Sequence, residues 1–395
     1  MNPPSREQLE ARLHYPLGDT LPDTGHTLTV APGVKWIRMA LPFALDHINL
    51  WLLRDALDGV EGWTVVDCCI SRDEAKAQWE QIFANDLEGL PILRVIVTHM
   101  HPDHIGLAYW LCERWECMLW ISATDYNSAR IGSHSTTGFG GASAADFFAS
   151  HGMTDPDSLE KIRGRASYYP GMVPAVPPRY RRLMDGQTVS IGGRGWRCIS
   201  GYGHAPEHIA LYNNELQVLI SGDMVLPRIS TNVSVYDMEP ESDALTLFLD
   251  SLDKYLPLPE ATLVLPSHGK PFTGLHERIA QLHAHHEERL GEVVQALYAP
   301  WVLHCGLTPE STYSGQMGKV IAFALEAAGA PIVKGGSGAG VAAFRALIEE
   351  KGGEIRCGAD VDRILVADSR VRGVALADGQ EIACGSVLAS VAPGQ

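Results

Sequence analysis

Three histidines and an aspartate within six residues constrain this chain more than any other feature. The segment Thr98-His99-Met100-His101-Pro102-Asp103-His104 directly follows an apolar run, 93–97, that reads as a β-strand. Three imidazoles and a carboxylate therefore sit where a strand ends and the chain turns into a helix. A core histidine normally comes singly with one satisfying partner, so a purely structural reading would need three separate coincidences in one turn. Imidazole and carboxylate without thiolate suit zinc, with Mn2+ or Fe2+ as alternatives, and the spacing is too short for all four groups to ligate one ion comfortably. Two ions are implied.

Three later segments can complete two such sites: Gly203-His204-Ala205-Pro206-Glu207-His208, Ser221-Gly222-Asp223 and Pro266-Ser267-His268-Gly269. Each follows a predicted strand (195–199, 216–220 and 262–265), and strand ends converge on one edge of a sheet. Around them the pattern alternates: strand 64–67, helix 74–87, strand 93–97, helix 107–115 and strand 118–121, which indicates a sheet with helices packed on it. Residues 131–185 break this alternation. They read as an insertion with a helix at 144–150, a second helix capped by Asp155 and opened by Pro156, and the aromatics Phe139, Phe147, Phe148, Tyr168, Tyr169 and Tyr180. Strand 208–212 pairs with 216–220 through a turn at Asn213-Asn214, and helical spacing from Leu275 to Leu297 gives a long amphipathic helix over 275–298.

Beyond about Gln316 the character changes. Val341, Phe344, Leu347 and Ile348 mark one helix, with Ser337 as its N-cap and Gly352-Gly353 ending it. Strands follow at 364–367, 371–377 and 381–383, the last two joined through Asp378-Gly379. The expected division is a domain over 1–315, containing a cap at 131–185 and a helical region at 274–315, followed by an extension over 316–395.

With 46% hydrophobic and 20% charged residues, the 395-residue chain has the composition of a folded protein. Its formal charge of -16 repels polyanions and argues against nucleic-acid and anionic-membrane partners. Residues 1–13 lack the apolar core of a secretory signal and no run approaches 18 apolar residues, so the cytoplasm is the expected compartment. Eight scattered cysteines without C-x-x-C read as reduced thiols. The expected partner is a small-molecule substrate, and a homodimer is left open.

The motifs carry a resemblance. Asp67, the His99 to His104 run, His204, Asp223 and His268 stand in the order of the five motifs of metallo-β-lactamase-fold hydrolases, over about residues 30–300. The resemblance implies an α+β fold, an αββα sandwich with a helical cap insertion and a small α/β C-terminal extension. It implies one metal held by His99, His101 and His204, a second by Asp103, His104 and His268, and Asp223 bridging them. Two divalent ions outweigh the Asp103 and Asp223 carboxylates and one hydroxide, so the site would be locally positive in an acidic protein. Zinc lowers the pKa of bound water to about 7, which supplies a nucleophile at neutral pH. The expected activity is that of a dinuclear zinc hydrolase in which a bridging hydroxide attacks small esters, lactones or phosphoesters.

The family's oxygen-reducing di-iron branch has Glu where His101 stands, which demotes a redox reading. Asp67 resembles the carboxylate that orients a ligand, and Cys69 stands where the family usually has glycine or another small residue. The expected catalytic set is Asp103, with His208 beside a ligand or facing substrate and Tyr202 meeting a substrate oxygen. Alternatives are a glutathione-thioester hydrolase or RNA-cleaving enzyme of the same fold and, in another class, a non-catalytic metal-binding scaffold. The extension resembles an internal fragment of phytoene-desaturase-like FAD oxidoreductases. Its Gly336-Ser337-Gly338-Ala339-Gly340 lacks the G-x-G-x-x-G spacing of a dinucleotide fingerprint, so no FAD is expected.

Overall fold

The computed structural model describes residues 5–134, 140–165, 167–304, 320 and 337–389, and the chain divides into two compact units, Met1–Gly291 and Glu292–Gln395. Phe139, Cys305, Gln316 and Gly336 lie outside the described residues. In the first unit the strands are β1 (Leu28–Ala31), β2 (Val34–Ala40), β3 (His47–Leu57), β4 (Val60–Val66), β5 (Ile92–Ile96), β6 (Met118–Ser122), β7 (Tyr180–Leu183), β8 (Thr188–Ile191), β9 (Arg194–Gly201), β10 (His208–Asn213), β11 (Val218–Gly222) and β12 (Leu263–Pro266). The helices are α1 (Arg6–Glu10), α2 (Asp73–Asn85), α3 (Pro102–Ile105), α4 (Ala108–Trp115), α5 (Ala123–Gly132), α6 (Gly141–Ser150), α7 (Pro156–Arg163), α8 (Tyr168–Met172), α9 (Ala244–Asp253) and α10 (Leu275–His304), the last running across the boundary between the units.

Strands β1 to β7 form one sheet in sequential order, antiparallel up to β4 and parallel from β4 to β7. The second sheet runs β12-β11-β10-β9-β8 and is antiparallel except for the β11–β12 pair. The two-residue alternation of side chains explains how these sheets stack. On β3, Ile48, Leu50 and Leu52 face an outer core with Trp79 and Ile82 of α2 and Leu111 of α4. Trp51 and Leu53 instead face a second core shared with Trp196, Leu211 and Ile220 of the other sheet. The outer side of the second sheet buries Ile199 and Leu219 against Phe248 and Leu252 of α9 and Leu275, Ile279 and Leu282 of α10. These three cores separate four layers, the expected αββα order.

A buried ion pair joins the sheets at one end of the central core. Arg94 of β5 binds Asp55 of β3 through Nη2 (2.6 Å) and Nε (2.9 Å), and its Nη2 also donates to the Ser190 carbonyl of β8 (2.7 Å). The Gly192 N–H donates to the other Asp55 oxygen at 2.8 Å.

The last stretch of the expected insertion is part of the sheet instead. Tyr180–Leu183 is β7, paired in parallel with β6, and the Tyr180 ring stacks on Tyr126 with centroids 3.8 Å apart. The cap helix at α7 starts as read, with the Asp155 side chain accepting the Ser158 N–H. In the second unit, α11 (Ser337–Glu350) precedes a three-stranded antiparallel sheet of β13 (Val361–Ala367), β14 (Arg370–Leu376) and β15 (Glu381–Ala383). Among the described residues, no helix is long and apolar enough to cross a membrane.

Candidate metal centre

The site is assembled at the ends of β4, β5, β9, β11 and β12. Directly after β4, Asp67 takes a left-handed backbone (φ 62°) and aims its buried carboxylate across to the next strand end. There it accepts the Thr98 N–H (2.8 Å), the Thr98 hydroxyl (2.9 Å) and the His104 Nδ1–H (2.8 Å). Cys69, two residues on, is also left-handed (φ 72°), which explains why glycine would be at ease there; its buried thiol is pushed up to about 12 by desolvation and does not join the donor cluster.

All seven expected ligands converge in two adjoining groups, His99, His101, His204 and Asp223, and Asp103, His104 and His268. In the first group His99 Nε2, His101 Nδ1 and His204 Nε2 lie 2.9–3.1 Å apart, and Asp223 Oδ2 is 3.3 Å from His204 Nε2 and 4.0 Å from His99 Nε2. In the second, Asp103 Oδ2 stands 3.4 Å from His268 Nε2 and 3.8 Å from His104 Nε2. Asp223 reaches both groups, with Oδ1 3.4 Å from His268 Nε2 and Oδ2 3.6 Å from His104 Nε2.

The outward nitrogen of every ligand imidazole is anchored, and this sets which nitrogen presents a lone pair inward. His99 Nδ1 bonds the Thr98 hydroxyl (3.0 Å), His204 Nδ1 donates to the Asn232 carbonyl (2.7 Å) and His268 Nδ1 to the His47 carbonyl (2.7 Å). His101 is reversed: Nε2 meets the Tyr236 hydroxyl at 3.3 Å, so Nδ1 turns inward. Three lone pairs held within about 3 Å repel one another unless a cation lies between them. Donors ~2.0–2.1 Å from a tetrahedral zinc stand about 3.3–3.4 Å apart, close to the spacing found here. Two buried atoms in the cluster, His104 Nε2 and Asp223 Oδ1, have no hydrogen-bond partner. The residues fit two bound cations.

Electrostatics without cations point the same way. Burial, then the neighbouring imidazoles, drives His99 far below its ordinary pKa, and burial takes His101 down to about 3. Burial also works against His268, yet the Asp223 and Asp103 carboxylates outweigh it and hold that imidazole at about 10. His104 is raised in the same way, by Asp67, Asp103 and Asp223 against burial. The second group thus keeps positive charge among its carboxylates, a place a metal ion takes by displacing protons.

His208 and Tyr202 do not line the cavity over the donors; His208 instead stands beside the donor residues. His208 is fully buried behind His99, and its Nε2 accepts the Asp223 N–H at 3.3 Å. It positions the Asp223 backbone. Gly222 permits this approach, since at φ 55° a Cβ there would come 2.0 Å from His208 Nε2. Tyr202 points toward α9, its ring 5.1 Å from Lys254 Nζ and its N–H on Ser251 Oγ (2.9 Å), away from the cavity over the donors.

Two residues that sequence reasoning passed over do bear on the site. Tyr236 lines the cavity and holds His101. Asp125, in the first turn of α5, ties two ligand loops together: Oδ1 accepts the Met100 N–H (2.8 Å) and Oδ2 the Glu207 N–H (2.6 Å). The signal available for Asp125 was Ser122-x-x-Asp125, a capping pattern that appears in the structure. Tyr236 lies in a stretch without periodicity and had none.

The donors floor a cavity of about 840 Å³ whose walls come from the loop after β2, the cap and residues 232–240. Phe147, Phe148 and Tyr168 of the cap face it, while Tyr169 is buried and donates to the Met100 carbonyl.

Fold and site together define a metal-dependent hydrolase scaffold. The sequence model of the metallo-beta-lactamase superfamily matches residues 44–268, and the chain belongs to that superfamily. A beta-lactamase domain protein from Burkholderia ambifaria is 57% identical, with a TM-score of 0.69 over 73% of this chain and 82% of that one. A metallo-beta-lactamase family protein from Thermus thermophilus is 27% identical, with a TM-score of 0.56 over 68% of this chain and 84% of that one. The probable metallo-hydrolase YqjP of Bacillus subtilis is 25% identical over 62% of this chain and 73% of its own length. A partial likeness, 37% over 95 residues, connects 24% of the chain with 18% of the hydroxyneurosporene desaturase of Rubrivivax gelatinosus.

Proposed function

We propose that this metallo-hydrolase uses two zinc ions to hydrolyse small esters, lactones or phosphoesters. The observation that carries the reading is the pair of donor groups sharing Asp223 at the floor of a mainly apolar cavity. His99, His101 and His204 would hold one ion, Asp103, His104 and His268 the other, and Asp223 both. Two divalent cations there supply a water of lowered pKa and polarisation of the scissile oxygen. The chain's own residues do the rest. Asp67, Thr98, the Asn232 and His47 carbonyls and Tyr236 fix ring orientation, so no reorganisation is needed during reaction. Asp103 presents its carboxylate at the cavity wall, where it can accept a hydrogen bond from an attacking water. The Tyr236 hydroxyl, burial-raised in pKa and kept as O–H, can donate to a substrate oxygen.

The test is turnover by metal-reconstituted full chain across a lactone, a phosphotriester, a phosphodiester, a thioester and a β-lactam. The reading expects ester-type substrates to be cleaved, activity to vanish on chelation, and His101→Ala to lose orders of magnitude with the fold intact. Wild-type turnover by His101→Ala would refute the assignment.

A further inference from the structure

The cavity walls define the substrate more narrowly than the metal centre does. Apart from the donor cluster, the lining is mainly apolar, with Leu41 and Phe43 on one side, Phe147, Phe148 and Ile162 on the cap, and Val235 beyond. Arg165 is the one arginine or lysine among the described lining residues, and the only carboxylates there are Asp103 and Asp223 of the metal centre. Among the described residues no carboxylate lies within ion-pair distance of its guanidinium, which rests 5.2 Å from the centroid of the Tyr168 ring. An arginine set over an aromatic ring without a carboxylate partner keeps N–H donors available, the arrangement that suits a carboxylate, sulfonate or phosphate.

The backbone beside Arg165 is held as well. Gly140 leads into α6 at φ 152°, and a Cβ there would lie 2.5 Å from the Arg165 Cβ and 3.2 Å from the carbonyls of Arg165 and Ile162. The start of α6 and the chain leaving α7 therefore touch at a point only glycine allows. A second tie between these helices is the Arg163–Asp146 ion pair at 3.0 Å. The cap thus presents Arg165 from a two-helix junction rather than from a free loop end.

We infer that the substrate is an apolar anion: a molecule whose hydrophobic body fills the cavity and whose remote acidic group pairs with Arg165, while its scissile group meets the metal centre. This rests on the cavity being the substrate's, as proposed above, and deepens that reading by naming the substrate class. The chemistry favours esters or thioesters carrying a second, acidic function over neutral lactones and triesters.

Isothermal titration of the full chain with 4-phenylbutane-1-sulfonate and with neutral 4-phenylbutan-1-ol tests it, in zinc-loaded and chelator-treated protein. The sulfonate coordinates zinc poorly and neither probe is hydrolysed, so failure of this inference is read separately from failure of the hydrolase reading. The wild type should bind the sulfonate at least ten-fold more tightly than the alcohol in both states. Arg165→Gln should abolish the preference and Arg165→Lys should keep part of it. Equal binding of both probes by the wild type, binding of neither, or a preference that survives Arg165→Gln would overturn the proposal. A preference that vanishes on chelation would assign the anion to the metals and would also overturn it.

Discussion

Replacing Asp125 with alanine should change stability in a way that depends on pH with a calculable sign. The carboxylate is fully buried and accepts two backbone N–H groups, from Met100 and Glu207, as well as the Ser122 hydroxyl. Leaving each buried N–H unsatisfied costs about 1–3 kcal/mol, so the variant should be about 2–6 kcal/mol less stable at neutral pH. Burial, opposed by those hydrogen bonds, raises the Asp125 pKa from 3.8 to about 6. The folded protein therefore holds a proton that the unfolded chain has lost between these values. Asp125 contributes most stability below pH 3.8, and that contribution is lost as the pH rises through 6. The full linkage is about 3 kcal/mol, of which about 2 kcal/mol falls between pH 4.5 and 7.5. Urea unfolding of chelator-treated wild type and Asp125→Ala, followed by tryptophan fluorescence across that range, reads it directly. The difference in stability between the two proteins should shrink by about 2 kcal/mol from pH 4.5 to 7.5. A difference that stays constant, or grows with pH, would refute the reasoning.

Further outcomes follow from the same contacts. Asp67→Asn puts an amide donor against either the His104 Nδ1–H or the Thr98 N–H and should weaken zinc binding about 10–100-fold in a chelator competition, with little change in far-UV circular dichroism. Arg94→Met leaves the Asp55 carboxylate buried and unpaired, and should lower unfolding free energy by about 3–5 kcal/mol. Zinc affinity should fall as pH is lowered, because His268, held at about 10 beside its carboxylates, must release a proton to bind metal; a pH-independent affinity would exclude it as a ligand.

The sequence made the site more legible than the frame that holds it. Imidazoles and carboxylates at strand ends carry a chemical signature, and each of the seven expected donors lies in the cluster. The fold beyond Trp63 was readable where periodicity changed cleanly, as at α2, β5 and the β10–β11 hairpin. Strand β3 was missed because its run His47–Leu57 is buried on both faces for most of its length and shows almost no polar alternation. Strand β7, with two exposed arginines at a sheet edge, resembles loop sequence. Tyr202 lies beside Lys254 and outside the cavity lining, because proximity in sequence to His204 says nothing of side-chain direction at the end of β9. Tyr236 and the Asn232 and His47 carbonyls act through the tertiary approach of distant segments, which no local pattern encodes.

The central claim is that seven side chains form one site for two metal ions. Elemental analysis of full-length protein purified without chelator and dialysed against metal-free buffer tests it most directly. Two equivalents per chain are predicted for the wild type, with loss of about one on His268→Ala. A wild-type content that settles at one equivalent would contradict the claim, as would His268→Ala retaining both.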